Sequence, residues 1–544
     1  MKKLNCTAPL TTLLALFVLL VVSCQKTKVE PVETYPDPPA ALVKFLDGAP
    51  SPAIGGEGSI VTFNVSGLKG KQPTDFTFLI NQTPAEVVEV GETTVKVKVP
   101  ANASTGGSSI LINGEYYFGP TFTIRGRITI DPSFNPDVSQ TNGPIAGLVP
   151  TPSGFLVYGS FNNYGNKATA DVPITNLAMI DANGAYLAAA SQFKVGKNGV
   201  NGPVSNVIRT PDGKYLLAGA FSKIDTVGNI AGIARFDAGG KLELNQVDVI
   251  NPDPVANPND DKAWVSSFNG GVGGGNIARL FYHATNGITA IGNFSSHVST
   301  FYERSTKEGP YLDLVRARQL IRMKETGAYD SLFNYNFGAQ SSYEGGNGFV
   351  LDAIQLPSGK MILVGNFTSF HGQNARRIVC INPANGLVDP SFSSGEGADG
   401  DISRITYNNT TKKILLTGAF KNYNGQPANG VVMINIDGTR DNNFVFGAID
   451  GGIVNFAGQL NNGLILISGS FNKYNDIIRP GMLVLNPNGT LAFNANNNGL
   501  FRGTITDFVE SISATGVPQV TIVGNFDRFD GKPVANIVKF RMEN

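Results

Sequence analysis

The chain has 544 residues, equal numbers of acidic and basic side chains (42 each) and a charged fraction of only 15%. Such a neutral chain shows no basic patch or stripe of the kind that marks nucleic-acid binding, so no nucleic acid is expected among its partners. Glycine (64) and proline (31) are abundant beside a 42% apolar fraction, the profile of many short strands joined by tight turns.

At the N-terminus Lys2 and Lys3 precede the apolar run Leu10 to Val22, the layout of an export signal and too short for a permanent span. The run ends Val21-Val22-Ser23-Cys24, which resembles a bacterial lipobox. That resemblance implies a signal peptide over 1–23 and a lipidated Cys24 that anchors the protein in a membrane. Residues 24–40 are rich in Pro, Glu and Lys and read as an extended tether. An acylated Cys24 leaves Cys380 without a disulfide partner. Its apolar setting, Arg377-Ile378-Val379-Cys380-Ile381, predicts an inert core thiol.

From 41 to 125 the pattern is alternating β. Val61, Phe63 and Val65 share one face of their strand, and Val95, Val97 and Val99 alternate with Lys96 and Lys98. Turn residues separate these runs, and about 85 residues of short strands fit one Ig-like β-sandwich. Gly58-Ser59 entering a strand, Val97-Lys98-Val99-Pro100 followed by Thr105-Gly106-Gly107, and Phe122-Thr123-Ile124 at the end resemble the IPT/TIG family. The resemblance implies a spacer or adhesive module.

Residues 127–544 carry a phrase that occurs seven times, a few apolar residues and then Gly-x-Phe: Gly159/Phe161, Gly219/Phe221, Gly292/Phe294, Gly365/Phe367, Gly418/Phe420, Gly469/Phe471 and Gly524/Phe526. Copies recur every ~50–75 residues, the period of one supersecondary unit. Each copy parses into four strands, the last tending to end Asp-x-x-Phe, as in Asp389 to Phe392. Four-stranded units stacked radially bury their apolar faces against each other, so a seven-bladed β-propeller is expected. The last unit ends at Val538-Lys539-Phe540 without its fourth strand, and Ile128-Thr129-Ile130 at the front of the array can supply it and close the ring. The fold class is therefore all-β, a sandwich followed by a closed propeller. Phrases such as Lys360-Met361-Ile362-Leu363-Val364-Gly365-Asn366-Phe367 resemble the delta-60 repeat type. Lipobox, TIG-like domain and propeller together resemble surface lipoproteins of Gram-negative bacteria that live on complex glycans.

The glycine allows close backbone approach or a bulge, and the Phe fills space between blades. Function is expected in the irregular parts instead. Insertions at about 187–201, 244–275, 297–318 and 334–348 follow strand two or strand four, and would gather on one sector of one face. They carry Trp264, Tyr302, Tyr311 and Tyr343 beside charged residues, a composition suited to sugar rings that stack on one face and hydrogen-bond at the edge. A second candidate is the central channel, where Arg279, Asp352, Arg404 and Asp507 fall between paired apolar positions of the first strands. Two carboxylates at the right separation would suit glycoside hydrolysis, while the equal supply of arginines favours paired charges.

Only His283, His297 and His371 exist, without metal-type spacing; no nucleophile elbow, calcium loop or phosphate loop is found, and no metal or cofactor is expected. The reading is a lipid-anchored binding protein of the outer membrane, at the cell surface, with a polysaccharide as partner. An envelope protein bound in adhesion is the alternative, and a glycosidase or lyase a lesser one.

Overall fold

The computed structural model describes residues 43–134, 141–188, 193, 195–285 and 287–543. The leader 1–23, Cys24 and the tether 24–40 lie outside the described residues. Among those described, no helix is long and apolar enough to cross a membrane.

In the N-terminal sandwich the strand Ile60–Ser66 buries Val61, Phe63 and Val65 and turns Ile60 outward, as its alternation requires. Val95 and Val97 are buried on the neighbouring strand, while Lys96 and Lys98 face outward to Glu89 and Glu86. Strand Thr83–Val90 pairs with Thr94–Lys98 on one side and Thr77–Ile80 on the other, with a bulge between Val87 and Glu89, and so joins the two layers. Rings of Phe63, Phe78 and Phe122 meet at the centre, with Phe63 4.8 Å from Phe78 and 5.9 Å from Phe122.

Seven antiparallel ladders follow, each with an inner, a second and a third strand. The first is Ile145–Thr151, Gly154–Gly159 and Leu177–Ile180, and the second Val204–Arg209, Tyr215–Gly219 and Ile233–Phe236. The third comprises Asn276–His283, Gly287–Asn293 and Leu320–Met323, the fourth Val350–Gln355, Met361–Gly365 and Ile378–Ile381. Blades five and six are Ile402–Asn408, Lys413–Gly418, Val431–Asn435 and Val454–Gln459, Ile465–Gly469, Met482–Leu485. The seventh is Arg502–Ile512, Pro518–Phe529 and Ile537–Met542. Each inner strand touches the next, and the inner strand of blade seven returns to that of blade one, where Thr506 Oγ1 donates to Ile145 O at 2.7 Å.

The expected closure is present. Ile128–Ile130 pairs antiparallel with Ile537–Met542, with Ile128 opposite Met542 and Ile130 opposite Phe540. The fourth strand, read from the sequence as short, is shorter still in the rest of the ring. In the other six blades the fourth element shrinks to one bridge: Ile180–Tyr186, Phe236–Leu242, Met323–Tyr329, Ile381–Val388, Ile434–Arg440 and Leu485–Leu491. In the blades that carry Asp-x-x-Phe the cause lies in that phrase, which is a turn. Phe333, Phe392 and Phe444 donate their N–H to the carbonyls of Asp330, Asp389 and Asp441, and each carboxylate accepts the N–H two residues on. The chain bends away before a ladder can form. A basic side chain holds each carboxylate from the side: Arg322 on Asp330, Lys360 on Asp389, Lys413 on Asp441 and Arg541 on Asp131.

Each Gly-x-Phe glycine faces the start of its inner strand, where a bulge shifts the register: between Ile145 and Gly147, Val204 and Asn206, and likewise in every blade. A Cβ on Gly159, Gly219, Gly292, Gly365, Gly418, Gly469 or Gly524 would overlap a backbone carbonyl oxygen of the opposing chain. The Phe two residues later is buried in all seven copies, and each of the seven inter-blade cores holds one of them. Gly365→Ala is therefore expected to cost more than ~3 kcal/mol in urea unfolding, because backbone must move. Gly372→Ala, in the left-handed region but with nothing near its missing Cβ, is expected to cost only ~1–2 kcal/mol.

Candidate functional site

The bulges set what reaches the propeller axis. The residue after each bulge is Gly147, Asn206, Arg279, Asp352, Arg404, Phe456 or Asp507. Three of these carry oxygen acceptors that cap the next blade: Asn206 accepts from Leu280 N at 2.8 Å, Asp352 from Ile405 N at 3.2 Å and Asp507 from Leu148 N at 3.2 Å. Arg279 Nη2 lies 2.8 Å from Asp352 Oδ1, and Arg404 Nε 3.7 Å from Asp352 Oδ2. The Arg404 guanidinium also stacks over the Phe456 ring at 5.7 Å. Gly147 leaves the room that the Tyr158 hydroxyl occupies beside Asp507.

Burial dominates the electrostatics here. It pushes the Tyr158 phenol up to about 12, with the Asp507 charge adding to it. Burial also raises the Asp507 carboxyl above its ordinary range, and draws the Arg404 guanidinium down despite Asp352. For Arg279 burial works the same way, but Asp352, Tyr158 and Asp507 outweigh it and hold the cation above its ordinary value. Asp352 is thus committed to two guanidinium groups and two backbone N–H groups. Such a carboxylate is a structural counter-ion.

The insertions divide into different roles. Residues 189–192 and 194 lie outside the described part of the insertion at 187–201; within it Phe193 packs on Tyr215 (4.9 Å) and Phe236 (5.3 Å), Val195 and Val200 join the same core, and Gly196, Lys197 and Asn198 are exposed. Phe193, Val195 and Val200 thus form an inter-blade wedge beside an exposed stretch at 196–198. The next two insertions form hairpins. Leu244–Asp248 pairs with Lys262–Ser266, and Ser296–Thr300 pairs with Leu312–Arg316, which places Tyr302 and Tyr311 in the connection. The hairpins are tied together by Ile250 N on Ser305 O (2.8 Å) and by the ion pair of Lys307 with Asp260 (2.7 Å).

Between these extensions and blade two lies a cleft of about 1170 Å³. Trp264 forms part of its wall with its indole 63% exposed. Asn229, Asn245, Lys223, Lys241 and Glu308 supply polar groups around it. At its base Arg235 Nε contacts Glu243 at 2.5 Å and Lys214 reaches the same carboxylate at 3.0 Å. Burial works against the Glu243 charge, but Lys214 and Arg235 overcome it and hold the carboxyl below its ordinary range.

Of the four predicted aromatics, the cleft takes only Trp264. Tyr302 lines a smaller adjoining cavity of about 180 Å³ that shares Asn229, and burial raises its phenol pKa. Tyr311 packs edge-on to Phe301 (6.5 Å), with the Arg304 guanidinium over both rings. Tyr343 stands apart, tilted on His371 at 5.6 Å, beside Glu344, which pairs with Arg316 and Arg318. The sequence reading missed Lys223 and Asn229, which sit on the connection between the second and third strands of blade two with no local pattern to flag them, and named the insertion that carries Asn245 without singling out that residue. Among the described residues, no group of three or more His, Cys, Asp or Glu side chains could hold a metal ion. Cys380 is buried and free, and burial, with the Asp389 charge adding, pushes its thiol up to about 12.

The IPT/TIG domain family matches residues 50–143. The family described as "Domain of unknown function (DUF5122) beta-propeller" matches residues 210–244, 356–392 and 411–444, in blades two, four and five. The chain carries an IPT/TIG domain and a DUF5122 β-propeller region. The matched DUF5122 segments of blades four and five start at the turn before the second strand and end at Phe392 and Phe444, so the repeat ends on the Asx turn. The IPT/TIG match runs beyond Ile128–Ile130, a strand that the structure pairs with the last blade.

No curated protein matches the sequence. Among solved structures, an auxiliary nutrient binding protein from Bacteroides thetaiotaomicron is similar at 11% identity and a TM-score of 0.32, over 93% of this chain and 98% of that one. An auxiliary nutrient binding protein from Bacteroides ovatus is similar at 12% identity and TM-score 0.19, over 69% and 95%. A putative phosphatase from Bacteroides thetaiotaomicron is similar at 11% identity and TM-score 0.24, over 93% and 98%. Similarity of this degree says nothing about what the present chain binds.

Asp352→Asn keeps the size of the side chain but removes the counter-charge of Arg279 and Arg404. It is expected to lower unfolding stability by ~3 kcal/mol or more, read by urea denaturation.

Proposed function

We propose that the protein binds a polysaccharide at the cell surface, in the cleft between blade two and the extensions 244–266 and 296–316. It is held to the outer membrane through lipidated Cys24, with the IPT/TIG domain as spacer. The observation that carries the reading is the exposed indole of Trp264 on the wall of a cleft of about 1170 Å³ whose other groups are amides and charges. An indole face left in water gains by covering the C–H face of a pyranose, and the surrounding Asn and Lys groups can hydrogen-bond the sugar hydroxyls. A volume of about 1170 Å³ leaves room for more than one sugar unit.

An envelope protein as partner is the second reading, and one observation favours it: Leu312, Leu314, Ile250 and Val255 are exposed on the same extensions. Hydrolysis or lyase chemistry at the axis finds no support, since Asp352 is paired twice and Asp507 caps Leu148.

Affinity electrophoresis of the purified protein through gels cast with bacterial and plant polysaccharides tests the proposal. Retardation by at least one polysaccharide is expected, with Trp264→Ala weakening it by ~tenfold or more. Absence of retardation on every gel, together with capture of a defined envelope protein, would replace it by adhesion, and release of oligosaccharides would replace it by catalysis.

A further inference from the structure

A second site lies where the IPT/TIG domain meets blades six and seven. The contact runs through backbone groups: Thr105 N donates to Asn497 O at 2.9 Å, and Arg479 Nη1 donates to Asn102 O at 2.9 Å. The Asn497 amide bonds Ile128 O (2.9 Å), so the same residue holds the closing strand. Arg479 is only 2% exposed. Its Nη1 also reaches Ile478 O at 2.6 Å, but its Nε has no partner, and burial alone, with no opposing charge, pulls its pKa down to about 10.

The other buried arginine among the described residues, Arg322, meets Asp330, and the half-buried Arg235 and Arg279 meet Glu243 and Asp352. A buried cation without a counter-ion destabilises the fold, and any anion that binds only the folded state recovers part of that loss. Beside Arg479 the joint encloses a cavity of about 120 Å³, also lined by Arg125, Asn102, Asn494 and Asn496. Glu57 is the one acid on its wall; it is exposed and makes no ion pair with Arg479. At ~30 Å³ per liquid water the space equals about four waters, room for a tetrahedral oxyanion with a water but not for a sugar ring.

We propose that this joint is a binding site for a small inorganic oxyanion, phosphate or sulfate, which Arg479 holds from within the cavity with Arg125 and the side-chain amides of Asn102 and Asn494 beside it. The anion supplies the missing counter-charge and fastens the IPT/TIG domain to the ring at blade six, next to Asn497, which holds the closing strand. This site is independent of the Trp264 cleft.

The test is calorimetric melting of the purified full chain in sodium sulfate at constant ionic strength, balanced with gluconate, an anion too large for the cavity. A melting midpoint that rises and saturates is expected, with apparent affinity in R479Q weaker by ~tenfold or more. No saturable rise in the natural protein, or the same rise in R479Q, would overturn the proposal. An equal saturable rise with glucuronate would also overturn it, in favour of a sugar acid. Should R479Q fail to fold, crystals of the natural protein grown with selenate decide. An anomalous peak within hydrogen-bonding distance of Arg479 supports the site, and an empty cavity refutes it.

Discussion

The propeller depends on one close approach, repeated in every blade: the α-carbon of the Gly-x-Phe glycine lies against a carbonyl oxygen at the start of the inner strand. With no Cβ in the way, the inner strand bulges at that point. The bulge turns one residue toward the axis and lets its neighbours pair with the second strand in register. The Phe that follows drops between blades. One glycine per blade therefore sets the inner register, the seam between blades and the identity of the axial side chain.

Because the same device recurs seven times, what varies is placed by it. The axial residues are Gly, Asn, Arg, Asp and Phe where a fully regular repeat would have one type, and the polar ones neutralise and cap each other across blades. That makes the axis a polar core. The binding potential moves outward, to hairpins that leave blades two and three and meet through Lys307 and Asp260. The Asx turn at Asp330 ends its blade's fourth element early, and the insertion at 334–348 follows it.

Much of this was legible in the sequence. Seven glycines at a regular period gave the ring, and the missing last strand beside Ile128-Thr129-Ile130 gave its closure. Alternation in Val61-Thr62-Phe63-Asn64-Val65 gave the core face of the sandwich. Other features were not, for physical reasons. Asp-x-x-Phe suits a strand end and a turn equally well, so the length of pairing before it could not be read. Phe193 looks like any loop residue, and only the hole beside Tyr215 and Phe236 makes it core. Trp264 and Tyr343 share the same signal, an aromatic beside charges in an insertion, yet Trp264 lines the cleft whereas Tyr343 meets His371, a partner on another blade that no spacing reveals. Arg479 gave no signal, since a buried arginine and a solvated one read alike.

The claim at the centre is that the two joined extensions, and not the axis, form the binding surface. Hydrogen–deuterium exchange with and without a retained polysaccharide tests it most directly, since binding slows exchange where backbone is covered or stiffened. Slowed exchange confined to 223–245, 262–266 and 305–312 is the result this account requires. Protection centred on the inner strands near Asp352 and Asp507, with the extensions unchanged, would contradict it.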